Sequence, residues 1–231
     1  MTRQDVIEFG VVIFILITAT WLIAANGADL ALSSRFYIDG GWPVGYQPFW
    51  QFFYRLNRWP VFLLGSAGIG MAIYSRYRPD MACWKRRGVF LLLLSILGPG
   101  VLVNAVFKDH WGRPRPRDVV EFGGTKQFLQ PWQKGVSGNG RSFPSGHSSA
   151  AFVVSAPYFI YRRSNRRRAA AWLGGGLAFG VLMSIARITQ GGHFLSDCLW
   201  SWGMVHLCGL LLAIWILKES REGAAGNSPT S

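Results

Sequence analysis

Long apolar stretches alternate along this chain with shorter polar connections. Six such stretches lie near residues 6–25, 59–75, 88–107, 146–161, 169–186 and 195–217. Each approaches the roughly 20 residues that a helix needs to cross a bilayer. The pattern predicts an all-α integral membrane protein with six transmembrane helices and a long loop, about residues 108–145, between the third and fourth. Residues 1–222 read as one domain, and the small, polar tail of residues 223–231 reads as disordered. The first stretch reads as a retained helix rather than a cleaved leader. Asp5 and Glu8 offset Arg3 where a leader would be basic, and five further stretches follow.

Composition agrees with lipid as the solvent. Half of the 231 residues are hydrophobic and only 15% are charged, with 11 Trp and 16 Phe. That profile excludes disorder and a coiled coil, and a soluble domain would carry nearer a quarter charged residues. The formal net charge of +13 fits nucleic acid, anionic headgroups or a phosphorylated substrate. Its distribution narrows the choice, because residues 75–87 and 162–168 hold 10 basic residues in 20 positions. Basic residues concentrate on the cytoplasmic side, so these loops and both termini are expected there, with the first, third and fifth loops opposite. Arg162, Arg163, Arg166, Arg167 and Arg168 then read as a topology signal on a solvated face, and no nucleic-acid partner is expected.

Other features point to architecture. Gly174, Gly175, Gly176 and Gly180 place small residues inside an apolar helix, where they let backbones approach. The first loop interleaves Trp42, Phe49, Trp50, Phe52, Phe53, Tyr54 and Trp59 with Arg55 and Arg58. An aromatic belt at the headgroup boundary is its plainer reading, ahead of an interfacial helix beside a lipid entrance. Cys83, Cys198 and Cys208 are isolated, which argues against a disulfide framework or structural zinc. His110 and His206 read as structural, and Arg113 and Arg117 as general attraction for anionic headgroups.

The chemistry concentrates in the third and fifth loops. The third begins Lys108-Asp-His-Trp-Gly-Arg-Pro-Arg-Pro-Arg117 and ends Ser142-Phe-Pro-Ser-Gly-His-Ser148; the fifth runs from Ala186-Arg187 to His193 and Asp197. Lys108, Arg115 and Arg187 suit an oxyanion, since guanidinium groups bind phosphate oxygens in bidentate fashion. Ser145 and Gly146, at a helix start, add backbone N–H groups and the positive end of the helix dipole. His193 and Asp197 are four apart, so on a helix the carboxylate could hold one ring nitrogen and leave the other free to attack. His147 could give a proton to a leaving oxygen and later take one from water.

Lys108-x6-Arg115-Pro116, Pro144-Ser145-Gly146-His147 and Arg187-x5-His193-x3-Asp197 together resemble the three-part signature of the type 2 phosphatidic acid phosphatase (PAP2) superfamily. The six-span layout is similar to its membrane branch. The resemblance implies hydrolysis of a lipid phosphate or pyrophosphate, with no cofactor and no metal. It implies that His193 is the nucleophile forming a phosphohistidine, Asp197 its orienting group and His147 the acid and base. Lys108, Arg115, Ser145, Gly146 and Arg187 would hold the phosphate. Ala186 departs from the family pattern, which commonly has Ser there. The segment Glu121–Phe128 resembles the loop of lipid A phosphatase-type members, so lipid A is the leading substrate expectation. Phosphatidylglycerol phosphate and undecaprenyl pyrophosphate are alternatives within the family, and a non-catalytic anion or lipid transporter is the alternative outside it. The active site is expected on the periplasmic side of a bacterial inner membrane.

Overall fold

The computed structural model describes residues 1–78 and 81–217. The tail expected to be disordered, residues 223–231, lies outside the described residues. The chain opens with α1 (Arg3–Ala25) and α2 (Ala28–Ser34), followed by α3 (Pro48–Arg55) and α4 (Trp59–Tyr77). Next, α5 (Ala82–Ser95) continues through a π-helical stretch, Ile96–Lys108, into the single turn α6 (Asp109–Trp111). After a long irregular connection come α7 (Gly146–Phe152), a 3₁₀ turn at Val153–Ser155, and α8 (Ala156–Tyr161). Two long helices, α9 (Arg166–Thr189) and α10 (Leu195–Ile216), complete it. Among the described residues there is no named strand, only isolated bridges such as Val119 with Lys126.

Among the described residues four helices are long and apolar enough to cross a membrane: Arg3–Ala25, Cys83–Asp118, Arg166–Thr189 and Leu195–Ile216. Two of the six expected spans differ for local reasons. The second coincides with α4, whose 19 residues include Trp59, Pro60 and Arg76 near their ends. The fourth is broken between α7 and α8. Pro157 in the first turn of α8 has no N–H to donate to the preceding turn, and the backbone there tightens into a 3₁₀ geometry. Pro99 acts similarly within the third span. The π-helical stretch surrounds it, and Asn104 Nδ2, five residues on, donates to the Pro99 carbonyl at 2.5 Å.

A core cluster joins α5 (Phe90, Leu91, Leu94), α8 (Ala156, Phe159) and α10 (Leu210, Ala213). Large apolar groups also face outward: Phe14 is 68% exposed and Trp215 81%, as befits surfaces meant for lipid. In lipid, helices gain little from hiding apolar surface, so close packing at small residues matters more. A Cβ on Gly68 would lie 2.6 Å from the Gly88 carbonyl oxygen, and one on Gly176 would lie 2.6 Å from Ser155 Cβ. Gly180 packs on the ring of Phe152, whereas Gly174 and Gly175 face open space and play no such part.

A buried ionic cluster ties α1 to α8 and α10. Arg162 pairs with Asp5 at 2.6 Å and Glu8 at 2.7 Å, and Arg163 pairs with Asp5 at 2.8 Å. Glu8 also accepts from Tyr158 Oη at 2.9 Å and lies 2.9 Å from His206 Nε2. Arg162 is therefore largely buried and committed, not part of the solvated basic face expected for it. Trp42 is likewise not at a lipid boundary: it packs with Val119, Phe122 and Phe194 beneath the fifth loop.

Candidate active site

The long connection doubles back on itself. Gly135 N–H donates to the Trp111 carbonyl at 2.9 Å and Ser142 N–H to the Arg113 carbonyl at 3.0 Å. Gly112 takes φ +74° at this crossing, a left-handed conformation, and a Cβ on it would strike the Val136 backbone. The fold-back sets Lys108–Arg115 beside Ser142–Gly146. The fifth loop is seated below by aromatic packing: Phe194 meets Phe128 edge-on at 5.1 Å, and Phe122 meets Trp42 at 5.4 Å. The Glu121–Phe128 segment thus contributes scaffold under the site through both of its phenylalanines.

His193 is 1% exposed, and its Nδ1 stands 2.6 Å from the Ser142 carbonyl oxygen. A carbonyl oxygen can only accept, so Nδ1 carries the proton and Nε2 holds the lone pair. Burial pushes the imidazole down to about 3, helped by the neighbouring Arg187 and Lys108, so the ring is neutral near pH 7. Asp197 does not hold the ring nitrogen directly, because its Oδ2 is 3.8 Å from Nδ1. The four-residue spacing straddles the start of α10, so the two residues do not share a helical face. Asp197 sits in the first turn, where Oδ2 accepts from Phe194 N–H at 2.8 Å and Ser142 Oγ at 2.6 Å. Ser142 therefore stands between the two, with its hydroxyl on Asp197 and its carbonyl on His193.

The structure brings the other predicted site residues together around His147. Arg187, His193, Lys108 and Arg115 all lie within electrostatic reach of His147. Lys108 Nζ is steered by Asn104 Oδ1 at 3.4 Å. A Cβ on Gly146 would lie 2.9 Å from that ammonium, so glycine is what lets Lys108 approach the start of α7. Ser145 is fully buried and caps α7, its Oγ accepting from Ser148 N–H at 3.3 Å and Ser148 Oγ at 2.9 Å. Ser184 Oγ extends this chain to Ser148 at 3.0 Å, and Ala186 is buried without entering it. The Nε atoms of Arg115 and Arg187 are buried donors that meet no acceptor in this structure. Lys108, Gly146 and His147 line a cavity of about 560 Å³, whose walls include Val61, Phe62, Pro99 and Ala150. Among the described residues no group of three or more His, Cys, Asp or Glu is placed to hold a metal ion.

Two residues of this site are not evident in the sequence. Tyr54 of α3 stacks on His147, with ring centroids 5.0 Å apart and planes 15° apart. The Arg187 guanidinium lies 5.0 Å over the same tyrosine ring. The first loop thus places an aromatic side chain against the site, beyond what a belt would do; its only signal was an eight-residue amphipathic segment opened by Pro48. Arg113 is the other. It is fully buried against Asp197 at 2.5 Å and Asp29 at 2.8 Å, and so is no surface attractor of headgroups. His110 is exposed, with Nδ1 3.1 Å from the Val106 carbonyl oxygen.

Apolar helices long enough to cross a membrane, a cavity lined by Lys108 and His147, and Arg115, Arg187 and His193 within electrostatic reach of that histidine fit a membrane phosphatase. The chain belongs to the PAP2 superfamily, which it matches over residues 88–221. It is 29% identical over 223 residues to a lipid A 4'-phosphatase of Francisella tularensis subsp. novicida (strain U112), covering 94% of this chain and 96% of that protein. A lipid A 4'-phosphatase of Rhizobium leguminosarum is 35% identical over 130 residues, which is 55% of this chain and 53% of that one. The fold resembles the crystal structure of a transmembrane PAP2-type phosphatidylglycerolphosphate phosphatase from Bacillus subtilis. The TM-score is 0.51 and the identity 19%, covering 92% of this chain and 98% of that one.

Proposed function

We propose that this chain is a lipid phosphatase that removes a phosphate from lipid A, working at the periplasmic face of a bacterial inner membrane. The observation that carries the chemistry is the Ser142 carbonyl on His193 Nδ1, which leaves Nε2 as the free nucleophile in a site ringed by Lys108, Arg115 and Arg187. Nε2 attacks phosphorus and the N–P bond forms as the P–O bond breaks. The lipid oxygen leaves with the bonding pair and takes a proton from His147; burial and the neighbouring cations lower the proton affinity of that imidazole, so the negative charge of the bound phosphate must raise it for this step. Water then attacks the phosphohistidine while His147 takes its proton, and the N–P electrons return to Nε2. Lys108, Arg115, Arg187, Ser145 Oγ and the Gly146 N–H offset the charge on the transferring group. These residues carry the reaction without a metal.

The lipid A reading rests on the near end-to-end likeness to the Francisella protein. The six-span layout, taken as one domain over residues 1–222, counts α4 and the broken α7–α8 segment as crossings. It puts the basic loops and both termini in the cytoplasm and the site opposite. Phosphate release from purified protein, offered lipid A, phosphatidylglycerol phosphate and undecaprenyl pyrophosphate with chelator present, tests this. The expected result is release from lipid A above the other two, abolished in His193→Ala and His147→Ala. Full release by either variant refutes the mechanism, loss of activity on chelation refutes its metal independence, and preference for another lipid refutes the substrate.

A further inference from the structure

A second charged assembly lies on the Nδ1 side of His193, away from its attacking nitrogen. Arg113 is wholly buried and its guanidinium is shared. Nη1 donates to Asp197 Oδ1 at 2.5 Å and to Ser196 Oγ at 2.8 Å, Nη2 to Asp29 Oδ2 at 2.8 Å, and Nε to the Leu129 carbonyl at 2.8 Å. The guanidinium also lies 4.7 Å over the ring of Phe194. Asp29, on α2, is 3% exposed and further accepts from Ser196 N–H at 2.9 Å and Ser196 Oγ at 2.5 Å. One guanidinium between two carboxylates leaves this buried group with one surplus negative charge. Without Asp29, the Arg113–Asp197 pair would be formally neutral.

That surplus matters only if His193 becomes cationic during the reaction, so the inference rests on the nucleophile reading above. When Nε2 bonds to phosphorus and the lipid oxygen departs, Nδ1 keeps its proton and the ring gains positive charge. The Asp197 carboxylate is 3.8 Å from Nδ1 with Ser142 between them. In a buried site, a net charge at that range weighs far more than it would in water. We propose that Asp29 is a positioning residue for the phosphorylation step, acting through charge. Arg113 joins the two carboxylates, and Asp29 restores the negative charge that Arg113 would otherwise cancel. The α2 segment is thereby part of the catalytic apparatus, although it touches neither substrate nor nucleophile.

Net charge and contact count make opposite predictions for a double variant, which supplies the test. Asp29→Asn is nearly isosteric and takes the group to neutrality; it should lower kcat about tenfold with KM within about twofold. Adding Arg113→Gln to Asp29→Asn removes further ion pairs yet brings the surplus charge back, and it should recover most of the lost kcat. Asp29→Glu and Arg113→Lys keep the charge and should stay within about threefold of wild type. Thermal midpoints in detergent separate these effects from unfolding. If Asp29→Asn fails to fold, the double variant is compared directly with wild type, and a loss beyond about tenfold in kcat overturns the proposal. So does a double variant no better than Asp29→Asn, or an Asp29→Asn of unchanged kcat. His193→Ala is run alongside. Retained turnover there defeats the nucleophile reading itself, whereas a dead His193→Ala with an unaffected Asp29→Asn defeats only this inference.

Discussion

Gly146→Ala isolates the phosphate clamp from the fold. The added methyl would lie 2.6 Å from Asn104 Oδ1 and 2.9 Å from Lys108 Nζ. Ordinary contact begins near about 3.5 Å, so the ammonium must retreat by roughly 0.6 Å. Both obstructing atoms end flexible side chains, so the backbone need not move. Alanine also keeps the residue's N–H and favours helix by up to about 1 kcal/mol over glycine. Stability should therefore hold or rise slightly. Turnover should not, because shifting a charged donor by a fraction of an ångström costs about ten- to 100-fold when it acts on a transferring phosphoryl group. Phosphate release and thermal unfolding measured on the same detergent preparation read both quantities. A kcat within about twofold of wild type would show that Lys108 does not need this approach. In the Lys108→Ala background the glycine change should add nothing further, and additive losses would refute the link between the two residues.

Tyr54→Ala should lower kcat/KM about tenfold, the joint worth of one ring stack and one cation–π contact, while Tyr54→Phe keeps most activity. Equal activity in the alanine variant would remove Tyr54 from the site. The depressed His193 pKa predicts a pH effect on stability. Its folded value of about 3 lies below the ordinary 6.5, so the unfolded chain takes up the proton first. The stability contribution is complete above about pH 6.5 and falls as the pH drops toward 3, by up to about 1.4 kcal/mol per pH unit. The difference in thermal midpoint between wild type and His193→Gln should accordingly shrink from pH 7 to pH 5, and a constant difference would contradict the buried neutral ring. Inorganic phosphate should raise the midpoint of wild type, with about 1.4 kcal/mol gained at ten times its Kd. Arg187→Gln should blunt that rise, and an identical rise in both proteins would place the anion elsewhere.

Hydropathy made the helical layout legible because lipid requires backbone hydrogen bonds to close within each segment. It did not show where helices deform. Pro99 and Pro157 change backbone geometry inside apolar runs without altering how apolar those runs are. His147, His193 and the three cations could be picked out as candidates because residue type at fixed local spacing marks them. Arg113 could not. In the run Gly112-Arg-Pro-Arg-Pro-Arg117 the motif singles out Arg115 but Arg113 and Arg117 look alike, and only the fold assigns Arg113 to the interior and leaves Arg117 exposed. Its partner Asp29 lies 84 residues away, beyond any local pattern. The same holds for Tyr54, one aromatic among many until α3 sets it against His147.

Cations gather around His147 and a surplus of carboxylate stands behind His193 Nδ1, and each arrangement costs the fold something that the proposed reaction would offset. Lys108, Arg115 and Arg187 all act electrostatically on His147; among the described residues none of them forms an ion pair, and the Nε atoms of Arg115 and Arg187 meet no acceptor. Such mutual repulsion and unmet donors are costs that a bound phosphoryl group would relieve. On the Nδ1 side two carboxylates share one arginine, a surplus that the proposed cationic imidazole would relieve. In the mechanism proposed above, one event, transfer of an anionic group to Nε2, would relieve both. A site that merely bound phosphate would need the cations alone. On that proposal the buried carboxylates behind the ring favour breaking the phosphate's bond over only holding it.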